Sequence, residues 1–321
     1  MANAAVPSPV SVRQLRESEL SEADRILRLA FGTFLGLPDP LQFAGDVDYI
    51  HTRWRANPEA AFAAEYAGEL AGSNIVSRWG SVGFFGPLTI RPELWDKGIG
   101  SHLMKPVIDC FTRWGTAHGG LYTFAGSPKH VHLYQKFGFW PRFLTALASK
   151  PVAPTGKGAE AVVRYSELRD PARAEAVKAC RELTDSIFAG LDVTSEIASV
   201  AGQKLGEVVL VYDNSRLAGF AVCHCGPGTE AGSGVCYLKF AAARSGQGAE
   251  DRFARLLDAC ETMASGRGLQ RLSAGMSMAR TGGFQTLVDR GFRVDRYGVA
   301  MHRPNEPGYS RPDAYVIDDW R

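Results

Sequence analysis

The stretch Leu88-Thr-Ile-Arg-Pro-Glu-Leu-Trp-Asp-Lys-Gly-Ile-Gly-Ser-His102 decides how the chain is read. A strand-like run ends at Ile90, Arg91-Pro92 stops it, and a turn delivers Gly98-Ile99-Gly100 to a helix start. The opening amides of a helix have no internal partner, and the helix dipole adds positive potential, so the turn predicts an anion pocket. Lys97 adds charge at its rim and Ser101 a hydroxyl. Downstream, Leu103, Met104, Val107, Ile108 and Phe111 recur at helical spacing. Upstream, the expected strand Val82 to Ile90 contains Gly83, Gly86 and Pro87. Proline donates no ladder bond, which predicts a bulge and free backbone groups.

Working outward, the chain matches itself. Leu133-Tyr-Gln-Lys-Phe-Gly-Phe139 resembles Thr286-Leu-Val-Asp-Arg-Gly-Phe292, and Gly68-Glu-Leu-Ala-Gly72 resembles Ser215-Arg-Leu-Ala-Gly219. The two matches stand at nearly one separation, which predicts a duplicated domain. Residues 1–149 form the first copy, 150–159 a proline- and glycine-rich linker, 160–303 the second copy, and 304–321 an extended tail. In the first copy a helix from Ser21 to Phe31, with Ser21 as its cap, precedes an irregular stretch to Pro58. Strands follow at 61–66, 70–77 and 82–90, then a helix from Gly98, a strand at 120–124 and a short helix closed by Gly138-Phe139. The second copy repeats this order, with helices near 172–184 and 249–264 and strands near 208–212, 217–225 and 235–241. Hairpins alternating with helices predict a mixed α/β layered fold.

Composition narrows the classes of function. The 321 residues are 45% hydrophobic, which is ordinary globular usage, and a net charge of +2 gives no reason to expect a nucleic-acid partner. No apolar stretch is long enough to span a bilayer, and Met1 to Val10 lacks the features of a signal peptide. Cys223, His224, Cys225 and Cys236 cluster without a second ligand pair, so they read as core strand residues, with no metal and a reducing cytoplasm.

Two motifs in this order resemble the GCN5-related N-acetyltransferases. In that family an Arg/Gln-x-x-Gly-x-Gly/Ala loop cradles the pyrophosphate of coenzyme A. The matching window is Trp95-Asp-Lys-Gly-Ile-Gly100, with Trp95 departing from Arg or Gln. The family's second motif is similar to Ser127-Pro-Lys-His-Val-His-Leu-Tyr-Gln-Lys-Phe-Gly-Phe139, with Ser127 for Asn and His130 for Ala. The resemblance implies two tandem domains, each a mostly antiparallel mixed sheet with a splayed central strand and flanking helices. It implies acetyl-coenzyme A as acyl donor, Leu88, Thr89 and Ile90 along the pantetheine arm, and Lys97, Gly98, Ile99, Gly100, Ser101, His102 and Ser127 around the coenzyme. Tyr134 would be the acid that protonates the departing thiolate. No cysteine stands where a covalent acyl carrier would, so direct attack in a ternary complex is expected.

No base is evident. Glu65, His51, His130, His132, a carboxylate from the second copy and a water chain to a backbone carbonyl all remain open. Leu287 and Arg280 stand where Tyr134 and Ser127 do, so the second copy reads as degenerate. For the acceptor, Asp46 and Asp48 suit an ammonium, and Arg53 and Arg55 a carboxylate. A small amine or amino-acid-like acceptor is expected, with the protein a monomer or homodimer. The alternatives are a non-catalytic acyl-coenzyme A sensor, or an enzyme doing another thioester reaction such as decarboxylation or longer-chain transfer.

Overall fold

A computed structural model describes residues 9–153 and 162–321. The first half runs β1 (Val10–Gln14), α1 (Leu20–Phe34), α2 (Ile50–Ala56), β2 (Ala61–Tyr66), β3 (Glu69–Trp79), β4 (Val82–Phe85) and β5 (Thr89–Ile90). It continues with α3 (Ile99–Trp114), β6 (His118–Thr123), α4 (Pro128–Gln135) and β7 (Trp140–Pro151). The second half runs β8 (Val163–Arg164), α5 (Ala172–Ile187), α6 (Thr194–Gln203), β9 (Gly206–Asp213), β10 (Arg216–Gly226) and β11 (Gly232–Ala243). After α7 (Ala249–Gly266), β12 (Arg271–Ser277), α8 (Thr281–Asp289) and β13 (Arg293–Arg303), the tail contributes β14 (Val316–Ile317).

The strands make one mixed, mostly antiparallel sheet in the order β1-β2-β3-β4-β6-β13-β7-β12-β11-β10-β9-β8. Among the described residues only β4–β6 and β11–β12 pair in parallel. At the join the halves exchange strands. β13 lies between β6 and β7, with Val299 opposite Thr123 and Gly298 opposite Thr145. β7 pairs in turn with β12, Ser149 opposite Ser273. Neither β7 nor β13 stood out in the sequence, because their neighbours come from the opposite half and leave no local alternation to read.

Helices flank the sheet through apolar stripes. α3 buries Met104, Val107 and Phe111 beside Phe85, Leu121 and Phe139, and Leu103 beside Ile90 and Leu94. α1 buries Ala23, Ile26, Leu27 and Ala30, and its Leu27 joins Ile50 and Ile75 in another cluster. Removing each such leucine or phenylalanine from water stabilises the fold by about 1.5–3 kcal/mol. Cys223, Cys236 and Cys260 are buried in the core between the second-half strands and α7.

Four local expectations are corrected. Ser21 does not cap α1; it lies inside the first turn, and Glu19 holds the cap position after a tight turn in which its carboxylate accepts from Arg16 N at 3.0 Å. The stretch from Gly32 to Pro58 is not irregular throughout, since it includes α2. Val82 to Ile90 is not one strand. β4 and β5 both pair with β3, but the four steps from Phe85 to Thr89 oppose only the three from Val76 to Ser73. The extra residue is the bulge that Gly86 and Pro87 imply. Lys150 and Pro151 belong to β7, and residues 154–159 of the expected linker lie outside the described residues.

Candidate active site

The parallel pairing of β4 with β6 covers only Val82 to Phe84 against His118 to Gly120. Beyond Phe84 and Gly120 the strands part, because the bulge at Gly86-Pro87 turns the chain back toward β3. The opening leads into a cavity of about 520 Å³ that touches both faces of the sheet. On the α3 side lie Leu88, Thr89 and Ile90, the turn residues Gly98, Ile99, Gly100 and Ser101, and Tyr134.

The turn is built as its sequence requires. Gly98 has φ +77°, a conformation that glycine adopts without cost, and it caps α3 at the point where the opening amides emerge. Asp96 also has a positive φ, and its carboxylate takes Lys129 of α4 at 2.6 Å, which ties the two walls of the cradle together. Trp95, the departure from the family motif, donates its indole N–H to the Ile90 carbonyl at 2.8 Å and lines the cavity. It fastens the turn to β5.

Most of the remaining candidate residues sit elsewhere. Lys97 is exposed, with its ammonium 4.8 Å from the Tyr66 ring centre. His102 is half-buried on α3, Ser127 is buried at the start of α4, and neither lines the cavity. Arg53 is buried and paired with Glu230 at 2.7 Å. Asp48 accepts from His51, Arg55 is exposed on α2, and Asp46 holds Ser233. None of these five lines the cavity. Glu65 is held by Arg13 at 2.6 Å, whereas His130 and His132 both line the cavity.

Tyr134 is buried against Phe85, ring centres 5.7 Å apart. Burial pushes its phenol above its ordinary range, and a hydrogen bond with the Thr123 hydroxyl opposes that rise. The phenol therefore stays protonated at neutral pH, as a proton or hydrogen-bond donor must. Burial, helped by Lys129, lowers the His130 imidazole from its usual value. It is neutral at pH 7.

Sequence reading expected the substrate side in Phe31 to Pro40 and Asp46 to Arg55. Phe31 and Phe34 do line the opposite wall, and the rest of that wall was missed. Tyr122 and Phe124 from the end of β6, Phe31 and Phe34 from α1, and Phe43 line it. So do Arg296 of β13 and the tail residues Trp320 and Arg321, from the other half of the chain. The α1 phenylalanines were legible as a helical stripe. Nothing in the tail's sequence indicates where it docks.

The second half has the same opening but a different occupant. β11 pairs with β12 only from Val235 to Leu238. Beyond it, β14 lies against β11, Ala241 opposite Ile317 and Ala242 opposite Val316. The other edge of β11 is already taken by β10 at these residues, so the tail fills the β12 side. Arg280 donates to the Val316 carbonyl at 2.9 Å and pairs with Asp318 at 3.1 Å, which pins this plug. Leu287 is buried in the apolar core.

Comparisons with known proteins agree with this architecture. A Pyrococcus horikoshii protein solved as a candidate acetyltransferase superposes with a TM-score of 0.70 at 14% identity, over 100% of this chain and 98% of that one. A GCN5-related N-acetyltransferase from Sphaerobacter thermophilus gives 0.60 at 14% identity, over 93% and 96%. Another from Anabaena variabilis gives 0.50 at 11%, over 94% and 75%. At these identities the likeness concerns the fold alone. No curated protein matches the sequence. Residues 24–139, which hold both motifs and the opening in the sheet, match the sequence model of the Acetyltransferase (GNAT) family. That segment is what this chain shares in sequence with the GCN5-related N-acetyltransferases.

Proposed function

We propose that the protein transfers an acetyl group from acetyl-coenzyme A to a small amine by direct attack within a ternary complex. The observation that carries this reading is one cavity joining the opening amides of α3, the bulge at Gly86-Pro87 and the Tyr134 phenol. The fit to a coenzyme rests on the same residues. Gly98, Ile99 and Gly100 offer amides and a helix dipole to a pyrophosphate, while Leu88 to Ile90 lie along the path of an extended arm.

The chain's own groups would work as follows. Walls from β4, β6 and α1 hold the acceptor nitrogen against the thioester carbonyl and exclude water. As the N–C bond forms and the C–S bond breaks, the Tyr134 phenol donates toward the sulfur. The nitrogen's surplus proton leaves toward the side lined by neutral His130 and by His132, directly or through water.

The second half is proposed as a degenerate copy that shapes the cavity. Its opening is filled by β14, and Leu287 has no proton to give. A cytoplasmic location belongs to the same proposal, supported by six cysteines present as free thiols. Among the described residues no helix is long and apolar enough to cross a membrane.

Thiol release from acetyl-coenzyme A, followed over a panel of amines, tests the reading. Amine-dependent release with formation of the N-acetyl product is the expected result. Tight acetyl-coenzyme A binding without amine-dependent release would instead indicate a sensor. Release from malonyl-coenzyme A with no acceptor would indicate another thioester reaction.

A further inference from the structure

The cavity continues past the opening in the sheet into a chamber walled by rings. Phe31 stacks on Phe43 with centres 5.2 Å apart and planes 18° from parallel. Phe34 meets Phe124 at 4.8 Å and His130 at 4.9 Å, and Phe31 lies 6.0 Å from Phe124. These five rings come from α1, the loop after it, the end of β6 and α4, and all line the cavity. Phe34 remains 38% exposed. The Nδ1 atom of His130 is buried and has no hydrogen-bond partner.

Charge separates the acceptor classes. Asp96 is the one carboxylate side chain among the described lining residues; it is on the coenzyme side and already takes Lys129. Lys129, Lys136, Arg296 and Arg321 also line the cavity. An acceptor carrying several ammonium groups would find cations and no free counter-charge. An aromatic ring would find offset and tilted partners at the separations that such pairs prefer.

We propose that the chamber formed by Phe31, Phe34, Phe43, Phe124 and His130 is the acceptor subsite, and that it selects an arylalkyl amine over a polyamine. The proposal rests on the acyl-transfer reading and adds the class of acceptor to it. The ring docks among the phenylalanines, and the free amine points back to the opening beside Tyr134.

Initial rates of thiol release from acetyl-coenzyme A with phenethylamine, ethylamine and spermidine test the proposal. Burying one phenyl ring is expected to raise kcat/KM for phenethylamine about 10- to 100-fold over ethylamine. Phe34→Ala and Phe124→Ala should each lower that ratio about tenfold. Phe34→Ala alters an exposed ring, so it keeps the test valid if Phe124→Ala fails to fold. Preference for spermidine, or variants that leave the ratio unchanged, would overturn the proposal. Calorimetry of phenethyl alcohol with the coenzyme A-loaded protein separates the two readings. Ring binding that depends on Phe34, without turnover of any amine, upholds the subsite and defeats the transfer reading. Acetyl-coenzyme A binding with neither ring binding nor phenethylamine turnover defeats the subsite.

Discussion

Arg53 Nη2 lies 2.7 Å from Glu230 Oε2, and the two side chains are almost completely removed from solvent. The pair bolts α2, in the first half, to the segment between β10 and β11 in the second. Arg53 also donates to the Gly86 carbonyl at 2.8 Å and to the Arg321 carbonyl, so it braces both the bulge and the tail. On the other side of Glu230, Lys239 bonds it at 2.6 Å and also pairs with Glu196 at 3.3 Å. Two cations hold the Glu230 carboxyl well below the usual carboxylate range, despite its burial. An arginine that looked like a substrate clamp in the sequence is thus part of the joint between the halves.

Arg53→Met removes one partner and leaves Glu230 with Lys239 alone. A buried pair broken this way typically costs about 3–5 kcal/mol, so denaturant melts should show a clearly lower midpoint. Adding Glu230→Gln to the same chain should recover part of the loss. A midpoint equal to that of the parent would show that the joint does not depend on this pair.

Tyr134→Phe keeps the ring that packs on Phe85 and removes only the hydroxyl. Turnover is expected to fall about 10²- to 10⁴-fold, with the affinity for coenzyme A within about twofold of the parent. Single-turnover kinetics alongside calorimetry would separate the two quantities. Undiminished turnover would remove Tyr134 from the chemistry.

Gly72→Ala should damage the site from outside it. A Cβ there would meet the Thr89 carbonyl oxygen at 2.0 Å, so β5 must move away from β3. The cost is expected to be about 1–3 kcal/mol of stability, with weaker coenzyme A binding because Thr89 and Ile90 line the cavity. Thermal shift with and without coenzyme A reports both effects. Its counterpart Gly219 also faces backbone, the Ala242 carbonyl oxygen at 3.0 Å, which gives the repeated glycine one physical reason in both halves.

Three buried histidines make the fold sensitive to acid. Burial lowers His118 to about 4, His224 to about 4 and His302 to about 3. His118 Nε2 and His302 Nδ1 lie 3.0 Å apart, where two imidazolium rings would repel. These folded values lie below the usual 6.5, so the unfolded chain takes up protons first as pH falls. The stability is complete above about 6.5 and is lost toward 4, with each imidazole contributing about 1.4 kcal/mol per pH unit. Melting temperatures measured from pH 7.5 to 5 should decline, and His302→Gln should flatten the decline. A flat profile would contradict the assignment of buried neutral rings.

Short-range signals were readable without coordinates. The hairpin around Gly68, the stop at Arg91-Pro92, the α3 stripe and the glycine at its cap each depend on a few neighbouring residues. Backbone sterics and side-chain period act over that distance, so the local turn and helix could be derived from them. A place for Tyr134 in the site was implied by the family resemblance alone. The structure then brought the two motifs onto one cavity.

What only the tertiary structure decided lies where residues remote in sequence meet. Arg53 and Asp48 read as ligands because charge on a helix looks the same whether it faces solvent, substrate or a partner carboxylate. Glu230 settles the matter for Arg53, and no local pattern announces it. The exchange of β7 and β13, the tail that fills one opening and the ring chamber beside the other all depend on packing between the halves. The sequence by itself therefore determined the helix-capped turn, the bulge and the family motifs, since local geometry suffices for each. The strand exchange, the fate of the buried charges and the chamber wall were left to the fold, because burial and pairing are properties of the whole chain.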